Sequence, residues 1–367
     1  MKTKAAVCYE YGKPLQIEEV DLDKPKENEV LIKYEATGVC HTDLSVVRGI
    51  IKAPPLPAII GHEAAGVIQE VGINVRSVKP GDHVAVLWVP TPCGQCYYCL
   101  KGHPHLCIDK DKARGGKMLD GTYRLRKGEK TINVTMATGT FCEYNVLSER
   151  SVLAIDRDIP FDVASLVGCA VITGMGAVWK AKVEAGSSVA VIGTGGVGLN
   201  IIQGAVLANA TTIIAIDILD NKLDIAKEFG ATHVINSSKE DPAVKVMEIT
   251  GGIGADYSFE AIGKSQTVAT AFKLIRRGGT TVTCGIPSLD DCLNLPLFEF
   301  PFNAKTFLGS YYGGGDARVQ IPLILNLYKQ GRIKLNELIT KRYRFEEINT
   351  AFADLSSGKN ARGVVVF

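Results

Sequence analysis

Hydrophobic and polar positions follow three rhythms along the chain. Over about residues 1–165, short β-rich runs recur, among them "EVLIKYEATGV" (29–39), "AAGVIQEVG" (64–72) and "DHVAVLWV" (82–89). Turn signals such as "KPGD" (79–82) part them, which predicts a small, strongly bent β structure with loops. Over about 171–310, apolar strands alternate with helical patterns. "SSVAVIG" reads as a buried strand, "GVGLNIIQGAVLANA" as a helix and "TTIIAID" as a strand. The helix "DNKLDIAKEFGA", the strand "ADYSFEAIG", the helix "SQTVATAFKLIRRGG" and the strand "TTVTCGI" follow. Such alternation predicts βαβ units on a parallel sheet. The last stretch, about 312–367, holds a helix in "ARVQIPLILNLYKQG" and ends strand-like in "RGVVVF", with a return to the first domain expected. "YYGGGD" (311–316) reads as a short flexible loop.

A length of 367 residues suits about two domains. The 41 basic and 39 acidic side chains leave a formal charge of +2, too balanced to suggest a nucleic acid or an anionic membrane as partner. The start, "MKTKAAVCYEYG", has no apolar core for a signal peptide. No run of about 18 or more apolar residues is read, so no membrane span and a cytoplasmic location are expected. In a reducing compartment, the ten cysteines point to metal binding, catalysis or burial rather than to disulfides.

Two patterns carry chemistry. "VAVIGTGGVGLNII" (189–202) places Gly193, Gly195, Gly196, Val197 and Gly198 between an apolar strand and a helix. Gly193 permits the tight turn, Gly195 lets backbone approach a pyrophosphate, and Gly198 lets the helix pack on the sheet. The helix N-terminus adds N–H donors. Asp217 ends the next strand, 24 residues after Gly193, where a carboxylate accepts ribose hydroxyls and repels a 2′-phosphate. The pattern therefore predicts NAD rather than NADP.

The second pattern is "CGQCYYCLKGHPHLC" (93–107), in which Cys93, Cys96, Cys99 and Cys107 stand as C-x2-C-x2-C-x7-C. Four thiolates suit a tetrahedral Zn²⁺. A ferredoxin-type cluster would want a different last spacing and a proline after it, where Ile108 stands. A redox pair needs fewer cysteines. His103 and His105 read as exposed loop residues, because four sulfurs fill the shell. A closed shell has no place for substrate, so the reaction is expected elsewhere. Cys40 in "GVCHTD", His62 in "GHEAAG" and Cys169 in "VGCAVITG" would together supply the two sulfurs and one nitrogen of a catalytic zinc with an open fourth position. Their separation along the chain prevents spacing alone from joining them. The remaining cysteines, at 8, 142, 284 and 292, read as structural.

These motifs resemble the zinc-dependent medium-chain alcohol dehydrogenase family over nearly the whole chain. "GHEAAGVIQEVGINV" (61–75) matches the family's zinc signature, and the four-cysteine lobe, the Cys169 segment and "GTGGVG" follow in family order. The resemblance implies an α/β fold: a β-rich GroES-like catalytic domain (1–170 and 312–367) with an inserted Rossmann doubly wound parallel-sheet domain (171–311), the active site lying in the cleft between them. It implies two Zn²⁺ per chain, the catalytic one on Cys40, His62 and Cys169 and the structural one on Cys93, Cys96, Cys99 and Cys107. Asp43 matches a carboxylate that holds the zinc-bound histidine, Glu63 an acid that assists ligand exchange, and Thr42 the hydroxyl that takes the alcohol proton. Ser45 stands where many relatives place the histidine that ends the proton relay. His41 and Arg362 match contacts to the cofactor pyrophosphate, Lys222 a base near the adenosine ribose, Thr173 a nicotinamide contact and Ile286 a further cofactor contact. Trp88 matches an aromatic wall of the substrate pocket.

The implied activity is reversible oxidation of a primary alcohol to the aldehyde with hydride transfer to NAD. "LDGTYR" and "GTFCEY" are similar to the glutathione-dependent formaldehyde dehydrogenase branch. That branch uses acidic residues before the zinc histidine and an arginine after the last structural cysteine. Here "GIIKAPPLPAII" (49–60) is apolar and Asp111 stands in place of the arginine. Free alcohols, aromatic or medium-chain as in the aryl-alcohol dehydrogenases, are therefore favoured over S-(hydroxymethyl)glutathione. A zinc-free enone reductase and a non-enzymatic zinc-binding protein are the rival classes. The resemblance also implies a homodimer, with a homotetramer as the alternative.

Overall fold

A computed structural model describes all residues, Met1–Phe367. The chain divides into two compact units. One comprises Met1–Cys169, Gly315–Asn326 and Leu335–Phe367, the other Ala170–Gly314 and Leu327–Lys334. The sequence reading gave all of 312–367 to the first unit. The structure instead returns Leu327–Lys334 to the second, where the Lys334 backbone N–H donates to Gln203 Oε1 and its Nζ to the Glu228 carbonyl.

The first unit is β-rich. Lys2–Cys8, Gln16–Leu22, Leu125–Lys127, Lys130–Val134 and Ala58–Ile59 close a small barrel. Beside it lies a seven-stranded sheet with Glu29–Val39 at its centre. That strand pairs antiparallel with Ala64–Val71, Tyr144–Ser148 and the terminal strand Arg362–Val366. Val7, Ile32, Tyr34, Ile59, Phe141 and Val365, each fully buried, belong to one apolar core.

The second unit is a six-stranded parallel sheet ordered His233–Asn236, Thr212–Asp217, Ser188–Ile192, Ala255–Glu260, Ile275–Thr283, Thr306–Gly309. In chain order this is 3-2-1-4-5-6, the doubly wound arrangement whose switch point lies between its first and fourth strands. Helices Gly196–Leu207, Asp220–Glu228, Pro242–Ile249 and Ser265–Leu274 connect the strands. The strand His233–Asn236 and helix Pro242–Ile249 escaped the sequence reading. The helix read through "SQTVATAFKLIRRGG" stops at Leu274, because Ile275 already opens the next strand.

One apolar helical run passes a composition test for a membrane span, and one further expectation needs correction. The helical run Phe161–Ala181, 21 residues, is long and apolar enough to cross a bilayer by composition, but 89% of its most apolar window is buried inside the protein. It is a core helix. "YYGGGD" is not a loose loop: Tyr312–Gly314 forms a 3₁₀ turn with Tyr312 buried. Gly313 lies so close to Gly176 that a Cβ there would fall 2.5 Å away.

Candidate active site

Strand pairing gathers the distant candidates at one end of the central strand of the first unit. Glu29–Val39 runs into Cys40, which caps the helix His41–Val47. The register Thr37↔Ala64 lays His62 and Glu63 alongside, and Val39↔Gly363 brings Arg362 to the same end. Cys169 arrives in the π-helical turn Val167–Val171. Gly168 there packs so tightly that a Cβ would lie 2.0 Å from the Val86 carbonyl oxygen. Such widened turns recur at functional sites.

The ligand atoms of Cys40, His62, Glu63 and Cys169 all lie within 4.8 Å of one another. None of the four residues is more than 9% exposed. Asp43 organises them. Its Oδ1 accepts from His62 Nδ1 at 2.9 Å and from the Gly61 N–H at 3.2 Å, and its Oδ2 accepts from the Cys40 N–H at 3.3 Å. With Nδ1 so engaged, Nε2 is the histidine atom left for a metal. The Cys169 thiol, against the cost of burial, and His62 together hold Cys40 well below its ordinary value. Cys169, facing that thiolate and buried, is pushed well above its own. Burial lowers His62, but Asp43 and Cys40 outweigh it and raise it to about 10.

Glu63 departs from the reading of an open fourth position. Its Oε2 pairs with the Arg362 guanidinium, while its Oε1 is buried, has no hydrogen-bond partner and belongs to the donor set. Two sulfurs, one imidazole and one carboxylate oxygen are donors that zinc accepts, so the set fits the ion. Arg362, read as a pyrophosphate contact, is only 4% exposed and is held by Glu63. Burying a carboxylate is costly unless it is paired, and Arg362 is that pair. Trp88, half-buried, stands edge-on to His62 with ring centroids 6.0 Å apart, beside the donor set. Thr42 and Ser45 are half-buried on the Cys40-capped helix, and His41 is exposed at its first position.

The second cluster also fits zinc. The sulfurs of Cys93, Cys96, Cys99 and Cys107 lie within 4.8 Å of one another. Cys96–Cys99 and Cys93–Cys99 separations are 3.5 and 3.9 Å. They bracket the ~3.8 Å edge of a tetrahedron with Zn–S bonds of ~2.3 Å. Backbone N–H groups of Cys99 and Ile108 lower the Cys96 thiol to about 6, while burial and the neighbouring Cys96 push Cys99 up to about 12. His105, expected to be exposed, is buried at 5%, while His103 is exposed. Among the other cysteines, 8, 142 and 284 are buried as expected, but Cys292 is exposed.

In the second unit, Gly193 adopts φ +89, with no room for a side chain beside Ile262. A Cβ on Gly198 would lie 1.8 Å from the Gly193 carbonyl oxygen, whereas Gly195 faces open space. This is the division of labour expected of a phosphate-cradling turn. Asp217 is more occupied than the sequence suggests. Its Oδ2 accepts from the Thr194 N–H and hydroxyl at 2.9 and 3.0 Å, and its Oδ1 from the Ile218 and Leu219 N–H groups. Lys222 is half-buried on the following helix, Thr173 is buried, and Ile286 is 54% exposed.

Sequence reading missed Thr194 and Glu260. The Glu260 carboxylate, fully buried, accepts from the N–H groups of Ile262 and Gly263 at 2.9 and 2.7 Å and from the Thr267 hydroxyl at 2.7 Å. It thereby shapes the loop after the fourth strand, across the switch point from Gly193. An acid closing an otherwise buried strand, "ADYSFE", was the available signal.

A β-rich unit with a buried sulfur–imidazole–carboxylate set, in one chain with a doubly wound nucleotide-binding unit, defines a metal-dependent dehydrogenase. Comparison with known proteins specifies it. Residues 26–157 match the family described as "Alcohol dehydrogenase GroES-like domain", and 196–328 that described as "Zinc-binding dehydrogenase". The NDMA-dependent alcohol dehydrogenase of Amycolatopsis methanolica is 41% identical over 100% of this chain and 99% of its own. Benzyl alcohol dehydrogenase from Acinetobacter calcoaceticus superposes with a TM-score of 0.93 at 32% identity, covering 100% and 99% of the two chains. An alcohol dehydrogenase zinc-binding domain protein from Burkholderia ambifaria gives 0.94 at 34%, with the same coverage. The chain belongs to the zinc-dependent medium-chain alcohol dehydrogenase family and is an oxidoreductase, with the expected GroES-like and Rossmann architecture.

Proposed function

We propose that this protein reversibly oxidises a primary alcohol to the aldehyde, with NAD as hydride acceptor. The observation that carries the reading is the buried Cys40–His62–Glu63–Cys169 set with Asp43 locked on His62. Zinc held by Cys40, His62 and Cys169, with Glu63 yielding its place to the substrate, would supply Lewis acidity toward an alcohol oxygen, and NAD on the Gly193–Gly198 turn the hydride acceptor. Asp43 fixes the imidazole so that its Nε2 faces the set. The Thr42 hydroxyl receives the alcohol proton, and Ser45 leaves the next acceptor to water or another base. Trp88 bounds the pocket on the histidine side, and the apolar 49–60 segment suits an aromatic or medium-chain substrate, a reading supported by the benzyl alcohol dehydrogenase neighbour. Asp217 favours NAD over NADP. One relative is named for NDMA dependence, so an acceptor panel includes NDMA beside NAD and NADP. S-(hydroxymethyl)glutathione is the second substrate reading, disfavoured by Asp111.

A second copy of the chain is the proposed partner. Exposed Leu289, Leu297, Phe298 and Phe302 precede Thr306–Gly309, the last strand of its sheet, whose outer edge is unpaired. A cytoplasmic location goes with this reading, since thiol ligands of zinc stay reduced there.

The test counts zinc per chain and follows NADH formation on an alcohol panel that includes hydroxymethylglutathione. Wild type should hold two ions. Cys40→Ser should lose one ion and its turnover with little change in melting temperature, and Cys93→Ser should lose melting temperature first. A fully zinc-loaded chain that reduces NAD with no alcohol would sink the reading. Activity confined to the glutathione adduct would overturn the substrate class.

A further inference from the structure

The segment Gly61–Glu63 is gripped from two sides. Asp43 holds one. On the other is a buried chain of hydroxyls to which nothing above assigns a role. Thr37 Oγ1 donates to the Glu63 carbonyl at 2.7 Å and lies 2.8 Å from Thr140 Oγ1. A threonine hydroxyl carries one proton, and that of Thr37 goes to Glu63. Thr140 is therefore the donor within the pair, and the order runs Thr140, Thr37, Glu63 carbonyl. Both threonines are 0% exposed. The Thr140 N–H also donates to the Gly61 carbonyl at 3.1 Å. Gly61 has φ +96, and a Cβ on it would fall 2.4 Å from Thr140 Oγ1. The hydroxyl thus occupies the space that a side chain at position 61 would need.

The turn that presents Thr140 is held in a disfavoured conformation. Met136 and Ala137, consecutive and both bearing a Cβ, have φ values of 52° and 56°, in the left-handed region. Asn145 Nδ2 secures the turn by donating to the Thr138 carbonyl at 2.5 Å and the Gly139 carbonyl at 3.2 Å. A backbone of this kind persists only where its surroundings over-determine it, and such places cluster at functional sites.

We propose that the Thr140–Thr37 hydroxyl pair is a positioning device for the catalytic metal ligands. It fixes the backbone from which His62 and Glu63 project. The two carboxylate oxygens of Glu63 face different partners, one the donor set and the other Arg362. A small rotation of the main chain at this residue would withdraw one or both. Thr37 and Thr140 act through that main chain and touch neither substrate nor cofactor. The inference rests on reading the Cys40–His62–Glu63–Cys169 set as a zinc site.

The test measures zinc release from the holoenzyme into a colorimetric chelator, with the four-cysteine site of the same chain as internal reference. Thr37→Val keeps the shape and removes the donor, Thr37→Ser restores it, and Thr140→Val breaks the chain one step earlier. Loss of a group that orients metal ligands costs about 10–100-fold in metal affinity. One ion should therefore leave Thr37→Val about 10–100-fold faster than wild type while the other is unaffected, and Thr37→Ser should behave as wild type. Release of both ions at the wild-type rate, or acceleration of both alike, would mean that the pair only packs the core, and would overturn the proposal. If Thr37→Val does not fold, Thr140→Val decides by the same comparison: selective release supports the proposal, and unchanged release overturns it. The underlying site reading fails separately, if Cys40→Ser binds as much zinc as wild type.

Discussion

Asp43 shows what one buried carboxylate can organise. It caps a helix, orients the His62 ring and receives the N–H groups of Cys40 and Gly61. A carboxylate out of water requires such partners, and here they include two residues of the metal set. Cys284 illustrates the opposite case, an acid with no ionic role. Burial pushes its thiol up to about 12 from 9.0. The raised folded-state value means that its contribution to stability is complete below the unfolded value and is lost as pH rises from about 9 toward 12. Over that window, Cys284→Ala should lose less stability than wild type, by about 1.4 kcal/mol per pH unit. Thermal melts of both proteins between pH 8 and about 10.5 check this; parallel curves would refute it. Residue type and family resemblance nominated Cys40, His62 and Cys169, and spacing nominated the four-cysteine lobe. They were not enough for Arg362. A lone arginine in "NARGVVVF" carries no sign of Glu63, which lies 299 positions away.

At the scale of elements, local irregularity places the chemistry. The π turn packs Gly168 against Val86 and so delivers Cys169 to the donor set, and the left-handed turn at Met136–Ala137 precedes Thr140. Periodicity cannot foresee either, because each is a defect in a regular pattern that neighbouring elements enforce. The loop "LDGTYR" has a similar anchor. Arg124, 3% exposed, makes a two-pronged pair with Glu29, Nε to Oε2 at 2.7 Å and Nη2 to Oε1 at 2.6 Å, and Nη2 also reaches Asp120. Removing one member of a buried pair leaves an uncompensated charge, at a cost of about 3–5 kcal/mol. Arg124→Ala should lower stability by that amount in denaturant titration. Adding Glu29→Gln should recover part of the loss. A loss under about 1 kcal/mol would show the pair to be dispensable.

For the whole molecule, the expected partner is a second copy. Leu289 is fully exposed, and Phe298 and Phe302 stack in the open at 4.5 Å between centroids. An apolar strip beside an unpaired strand edge invites pairing. Sedimentation should therefore give a dimer for wild type and a monomer for a Leu297→Asp/Phe302→Asp double variant. A monomeric wild type would refute the expectation. By itself the sequence determined the βαβ alternation, the glycine turn and the four-cysteine metal lobe, because these depend on residues close in the chain or on spacing within one loop. Only the tertiary structure decided which distant residues meet. Antiparallel registers carry His62, Glu63 and Arg362 to the end of Glu29–Val39, and a π turn delivers Cys169. That Glu63 stands in the donor set, with Arg362 as its counter-charge, was decided only there, since a ligand shell is set by distances across a fold and not along a chain.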